Sequence, residues 1–224
     1  MRGKMEYVSD VKGECADDIQ IDSLHDEREV KFVKWARELE DIITHARQSV
    51  YDCRQITHLY YCDKHFFNRY NTMFTYMWYN LCVAITMDLG KLYASGNGLC
   101  LSKFNEYLQN NCAGIFGSLI TKDKQIFPSK NLESLYENKI KTLRNKMYGH
   151  ADKELLSRED IDPEVDAVLF DDLDRLIDAA ADFLSDIWEK YNGHKMCFEV
   201  KGKDEFQRAV AILKQQWEND QNPR

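Results

Sequence analysis

Arg144, Asn145 and His150 bring a guanidinium, an amide and an imidazole within seven residues of one another. They stand in the run Thr142-Leu143-Arg144-Asn145-Lys146-Met147-Tyr148-Gly149-His150-Ala151-Asp152-Lys153. Arginine can clamp a phosphodiester and stabilise the charge that develops in a pentacovalent transition state. Histidine titrates near neutral pH and can act as general acid or base, an effect of about 10²–10⁴-fold. The amide of Asn145 can orient either group or a ribose hydroxyl. Attack by a 2′-hydroxyl on the neighbouring phosphate needs these functions and no metal ion.

The charge around this run supports an anionic ligand. The chain as a whole is acidic, with 30 basic and 38 acidic residues and a net charge of −8, which argues against a general nucleic-acid coat. From Lys122 to Lys153, however, the balance is +4, leaving −12 on the rest. A basic island on an acidic protein is what a phosphate site requires.

Geometry complicates the site. At about 100° per residue, His150 falls roughly 240° around a regular helix from Arg144. Either Gly149 ends or bends the helix so that His150 swings back, or two copies assemble the site across a two-fold axis. On residue types alone, the cluster reads first as a helix cap on a basic surface.

The elements that must position these residues are helical. Three prolines and ten glycines in 224 residues leave few breakers, and helices exclude both from their interiors. Residues 1–25 lack periodicity and read as an extended or frayed start. From Asp26, the residues Phe32, Trp35, Leu39, Ile42, Ala46, Val50 and Cys53 recur at three- and four-residue steps, predicting a helix to about Tyr61. The aromatic-rich stretch from His65 to Ala94 predicts its antiparallel neighbour. A short helix follows near Leu101–Asn110. The motif helix begins near Ser129 or Asn131, with Leu132, Tyr136, Ile140, Leu143 and Met147 as its apolar face. Pro163 opens the next helical region, striped by Leu169, Leu173, Leu176, Ala180, Phe183, Ile187 and Tyr191 and stopped at Gly193. Phe206, Val210, Leu213 and Trp217 mark a last amphipathic helix. The reading is an all-α, single-domain antiparallel bundle over 26–192, with 193–224 packing on it.

Other constellations carry less. Seven scattered cysteines without a Cys-x-x-Cys pair point to reduced thiols of a cytoplasmic protein rather than a disulfide framework. Cys53, His58, Cys62 and His65 include ligand types but lack the paired spacing of zinc sites, so no metal and no cofactor is expected. Asp174, Asp178, Asp182 and Asp186 form a ladder on one helix face, read as solvated or as a meeting place for a basic partner. Tyr70–Met87 carries no charge, but five polar side chains interrupt it, which argues against a membrane span.

At Arg144, Asn145 and His150 the chain resembles the HEPN superfamily (higher eukaryotes and prokaryotes nucleotide-binding), whose signature is Arg, a polar residue, then His after four to six intervening residues. The flanks Leu143-Arg144-Asn145-Lys146 and His150-Ala151-Asp152 are most similar to the abortive-infection AbiU-type branch. Gly149 departs from the alanine expected before the His. The resemblance implies a metal-independent endoribonuclease, a toxin or antiviral effector, acting as a homodimer whose two motifs share one cleft and held silent by an antitoxin or regulatory partner. It implies that Arg144 stabilises the scissile phosphate, that His150 transfers the proton, and that Asn145 holds the orientation; Lys146 and Lys153 would be weaker RNA-backbone contacts, with solubility as their plainer role. The alternative is a non-catalytic HEPN-like module that grips a nucleotide, RNA or a protein.

Overall fold

Asp26 accepts a hydrogen bond from the Arg28 N–H at 2.8 Å and so starts the longest helix, α1 (Glu27–Cys62). The computed structural model describes residues 24, 26–94, 98–112, 126–149 and 168–221, and all regular structure among them is helical. Asp63 then ends α1 and caps α2 (Lys64–Arg69), accepting from the Phe66 N–H at 3.2 Å.

The stretch expected as one helix from His65 is broken at Tyr70. The Tyr70 N–H bonds back to the Phe67 carbonyl at 3.0 Å, a tight closure that stops α2 before α3 (Asn71–Tyr93) begins. The break lets Phe66, Phe67 and Phe74 all bury in a small cluster with Ile56 and Leu59. The last helix, α8 (Glu205–Gln221), lays Phe206, Val210, Leu213 and Trp217 over that cluster.

The main core lies between α1, α3, α4 (Leu101–Asn111), the motif helix and α7 (Phe170–Asn192). Cys53 meets Cys82 and His45 meets Asp88, so α1 and α3 run antiparallel. Phe32 is fully buried, stacked on Phe104 at 5.7 Å and on Trp188 at 6.1 Å. The Tyr93 hydroxyl donates to the Leu176 carbonyl at 2.6 Å, tying α3 to α7. Gly193 ends α7 in the left-handed region, with φ +78°. The described part of that helix begins at Phe170; the start expected at Pro163 lies outside the described residues.

Asp174 and Asp178 of the aspartate ladder are paired with arginines of α1. Arg54 of α1 reaches Asp171 at 3.1 Å and Asp174 at 2.5 Å, and Arg47 reaches Asp178 at 2.6 Å. These pairs strap α7 along α1 outside the apolar seam. Among the described residues, no helix is long and apolar enough to cross a membrane.

Candidate functional site

The motif helix has three parts. Ser129 caps α5 (Lys130–Leu135), accepting from the Leu132 N–H at 3.3 Å. A π-helical turn, Tyr136–Ile140, follows, and α6 (Lys141–Gly149) completes it. The i→i+5 bonding of a π turn accommodates one extra residue, which sets everything downstream back by about 100°. Counted from Tyr136, whose ring packs on Tyr93 of α3, Arg144 falls about 80° away on a regular helix. The extra residue returns it to within about 20°, onto the face that meets α3.

On that face Arg144 meets Gly90, a buried glycine of α3. A Cβ at Gly90 would stand 2.6 Å from the Arg144 Cδ and 3.6 Å from Nη1. Only glycine lets the guanidinium stem lie so close. The same side chain lines a cavity of about 220 Å³ together with Met87, Gly90, Lys91 and Cys100. The Arg144 Nη2 also donates to the Asn145 Oδ1 at 3.2 Å, and Asn145 is exposed. Arg144 and Asn145 are thus brought together at the cavity. Lys146 is carried on α6, but its side chain, with His150 and Lys153, lies outside the described residues. Gly149 is the last helical residue before His150.

Beneath the site, Tyr136 is buried against Tyr93 and Phe127 with ring centroids at 5.3 and 5.9 Å. Burial pushes its phenol upward, with the Arg144 cation pulling in the opposite direction.

Residue-type reasoning missed Gly90, Lys91, Asp88 and His45. Lys91 lies in the cavity with Arg144 and also donates to the Asp88 Oδ1 at 3.1 Å. The other Asp88 oxygen accepts from the His45 Nδ1. An isolated glycine inside a helical pattern was the available signal. Nothing local marks His45, which is 43 residues from its carboxylate.

Cys53, His58, Cys62 and His65 do not converge. The Cys53 Sγ faces the Trp78 carbonyl and the Cys82 Sγ at 3.8 and 3.9 Å, whereas Cys62 faces His58 at 3.5 Å. His65 lies edge-on to Trp217. Among the described residues, no three His, Cys, Asp or Glu side chains form a group that could hold a metal ion.

A family model described as AbiU2, of the HEPN type, matches residues 30–219. No curated protein and no solved structure matches the chain.

Proposed function

Because the chain belongs to the AbiU2 family, an abortive-infection-related branch of the HEPN superfamily, we propose that it is a metal-independent endoribonuclease. Its cut is an attack of the ribose 2′-hydroxyl on the adjoining phosphodiester. Arg144 stabilises the charge on phosphorus, Asn145 orients, and His150 moves a proton at the ribose or the leaving oxygen. Lys146 and Lys153 are RNA-backbone contacts. The proposal includes a role as toxin or antiviral effector with a silencing partner.

One observation carries this reading: Arg144 and Lys91 line a single cavity, which puts two basic side chains at one opening. The homodimer is part of the proposal. Tyr61, Met73, Tyr76 and Met77 are exposed, and the last three lie in the charge-free run of α3 that leads to Gly90. Two acidic copies can approach on that face without charge repulsion.

The test is cleavage of RNA in EDTA, leaving a 2′,3′-cyclic phosphate or its hydrolysis product. Arg144→Ala and His150→Ala must each abolish cleavage with folding intact; wild-type-like cutting by either sinks the assignment. Binding without cleavage by the wild type would favour the non-catalytic module.

A further inference from the structure

Cys53 of α1 and Cys82 of α3 face each other across the seam of the main core, both free, with their sulfurs 3.9 Å apart. Contact at that distance is what any two small apolar side chains make. Two further observations set this pair apart. The first is the backbone beside it. The Cys53 Sγ lies 3.8 Å from the Trp78 carbonyl, the carbonyl to which a regular helix bonds the Cys82 N–H. The Cys53 sulfur thus rests on the turn of α3 that carries Cys82. Joining the two sulfurs at about 2.05 Å asks for about 2 Å of movement.

The second is unequal access. Cys53 is fully buried, whereas Cys82 is half-buried and lines a cavity of about 290 Å³ with Thr57, Trp78, Ile85 and Leu143. Tyr61 and Leu169 on the cavity wall are exposed, so it opens to solvent. A small solute can therefore reach one sulfur of the pair. The Cys82 sulfur and burial push the Cys53 thiol up, so Cys53 keeps its hydrogen and can donate it to the Cys82 sulfur.

We propose that Cys53 and Cys82 form a peroxide-reactive dithiol, with Cys82 the attacking sulfur and Cys53 the resolving one. The Cys82 thiolate attacks one oxygen of hydrogen peroxide, and the O–O bond breaks with its electron pair on the departing oxygen. That hydroxide takes up the proton Cys82 had lost, and Cys82 is left as a sulfenic acid. The Cys53 sulfur then displaces the sulfenic hydroxyl to form the S–S bond, and the Cys53 hydrogen leaves with it as water. Two thiols have given up two hydrogens and two electrons, and one peroxide has become two waters. The bridge ties α1 to α3 at the cavity that Leu143, the residue before Arg144, also lines. It is independent of the ribonuclease reading.

The experiment treats the folded full chain with hydrogen peroxide, quenches with catalase, and unfolds it in urea with iodoacetamide present for peptide mapping by mass spectrometry. A peptide joining residues 53 and 82 should appear with the loss of two hydrogens, and dithiothreitol should reverse it. Tm should rise on oxidation, because the link constrains the unfolded chain. In Cys53→Ser, dimedone should capture a sulfenic acid on Cys82; in Cys82→Ser, Cys53 should remain an unmodified thiol. Exposed Cys62 is the internal measure of peroxide dose. Cys53 and Cys82 both still alkylated once Cys62 is oxidised overturns the proposal, as does dimedone labelling of Cys53 in Cys82→Ser. The wild-type map decides the matter even where Cys53→Ser fails to fold.

Discussion

The Cδ of Arg144 occupies the space that a side chain on Gly90 would claim, 2.6 Å from where its Cβ would stand. The glycine is therefore part of the Arg144 site even though it carries no reactive group. Gly90→Ala should push the arginine off α3 and lower RNA cleavage by at least tenfold. Because alanine favours the helix by about 0.5–1 kcal/mol and the displaced atoms belong to a flexible side chain, stability should change by no more than about 1 kcal/mol. Kinetics beside thermal melts will separate the two effects.

The π turn makes a second prediction. Deleting the exposed Asn138 removes the extra residue and should turn Arg144 about 100° away from Gly90. Helix content by circular dichroism should persist while cleavage is lost. A deletion variant with intact cleavage would contradict the role given to the turn.

How much of this was legible before folding depends on the range of the interactions. The α7 stripe and its Gly193 stop were readable because spacing and a left-handed glycine are local properties. So was the start of the motif helix near Ser129 or Asn131, where Ser129 proves to be the cap. The break at Tyr70 was not, since no proline or glycine marks it; the backbone closure of the Tyr70 N–H on the Phe67 carbonyl makes it. The π turn was also silent, because the apolar positions Leu132, Tyr136 and Ile140 suit a regular helix. The Arg144–Gly90 contact joins residues more than fifty positions apart, and periodicity along one helix cannot report on its partner.

Alkaline pH should unfold the protein early. Burial raises the hydroxyls of Tyr93 and Tyr136, and burial together with the Glu29 hydrogen bond raises that of Tyr191. A raised folded-state value means stability that is complete below the unfolded tyrosine value of about 10 and lost as pH rises through the folded value. Urea midpoints should fall steeply above pH 10. Tyr93→Phe should make that fall shallower, although it gives up the bond to Leu176.

Asp63 sets the acid side. The Lys214 ammonium, 2.6 Å away, and the Phe66 N–H hold its carboxyl below the usual range. That contribution is present above the unfolded aspartate value of about 3.9 and disappears as pH falls through the lower folded value. Asp63→Ala should cost about 0.5–2 kcal/mol through the lost cap. Lys214→Met should cost about 1 kcal/mol or less, since the pair is partly solvated. Chemical denaturation of both variants at pH 7 checks the order.

The dimer can be tested at Tyr76, which is 68% exposed on α3. Tyr76→Asp should give monomers by light scattering at micromolar concentration, where the wild type should be dimeric, and cleavage should fall with dimer content. A wild type that is monomeric under those conditions would remove the composite cleft.

Arg47 and Arg54 are already held by the aspartates of α7, which bears on how a polyanion first meets the molecule. With those cations occupied and −12 spread outside the Lys122–Lys153 stretch, an RNA strand of the kind proposed above would be repelled over most of the surface and drawn toward one segment. Encounter is then oriented before contact. Its rate should fall as added salt screens that field.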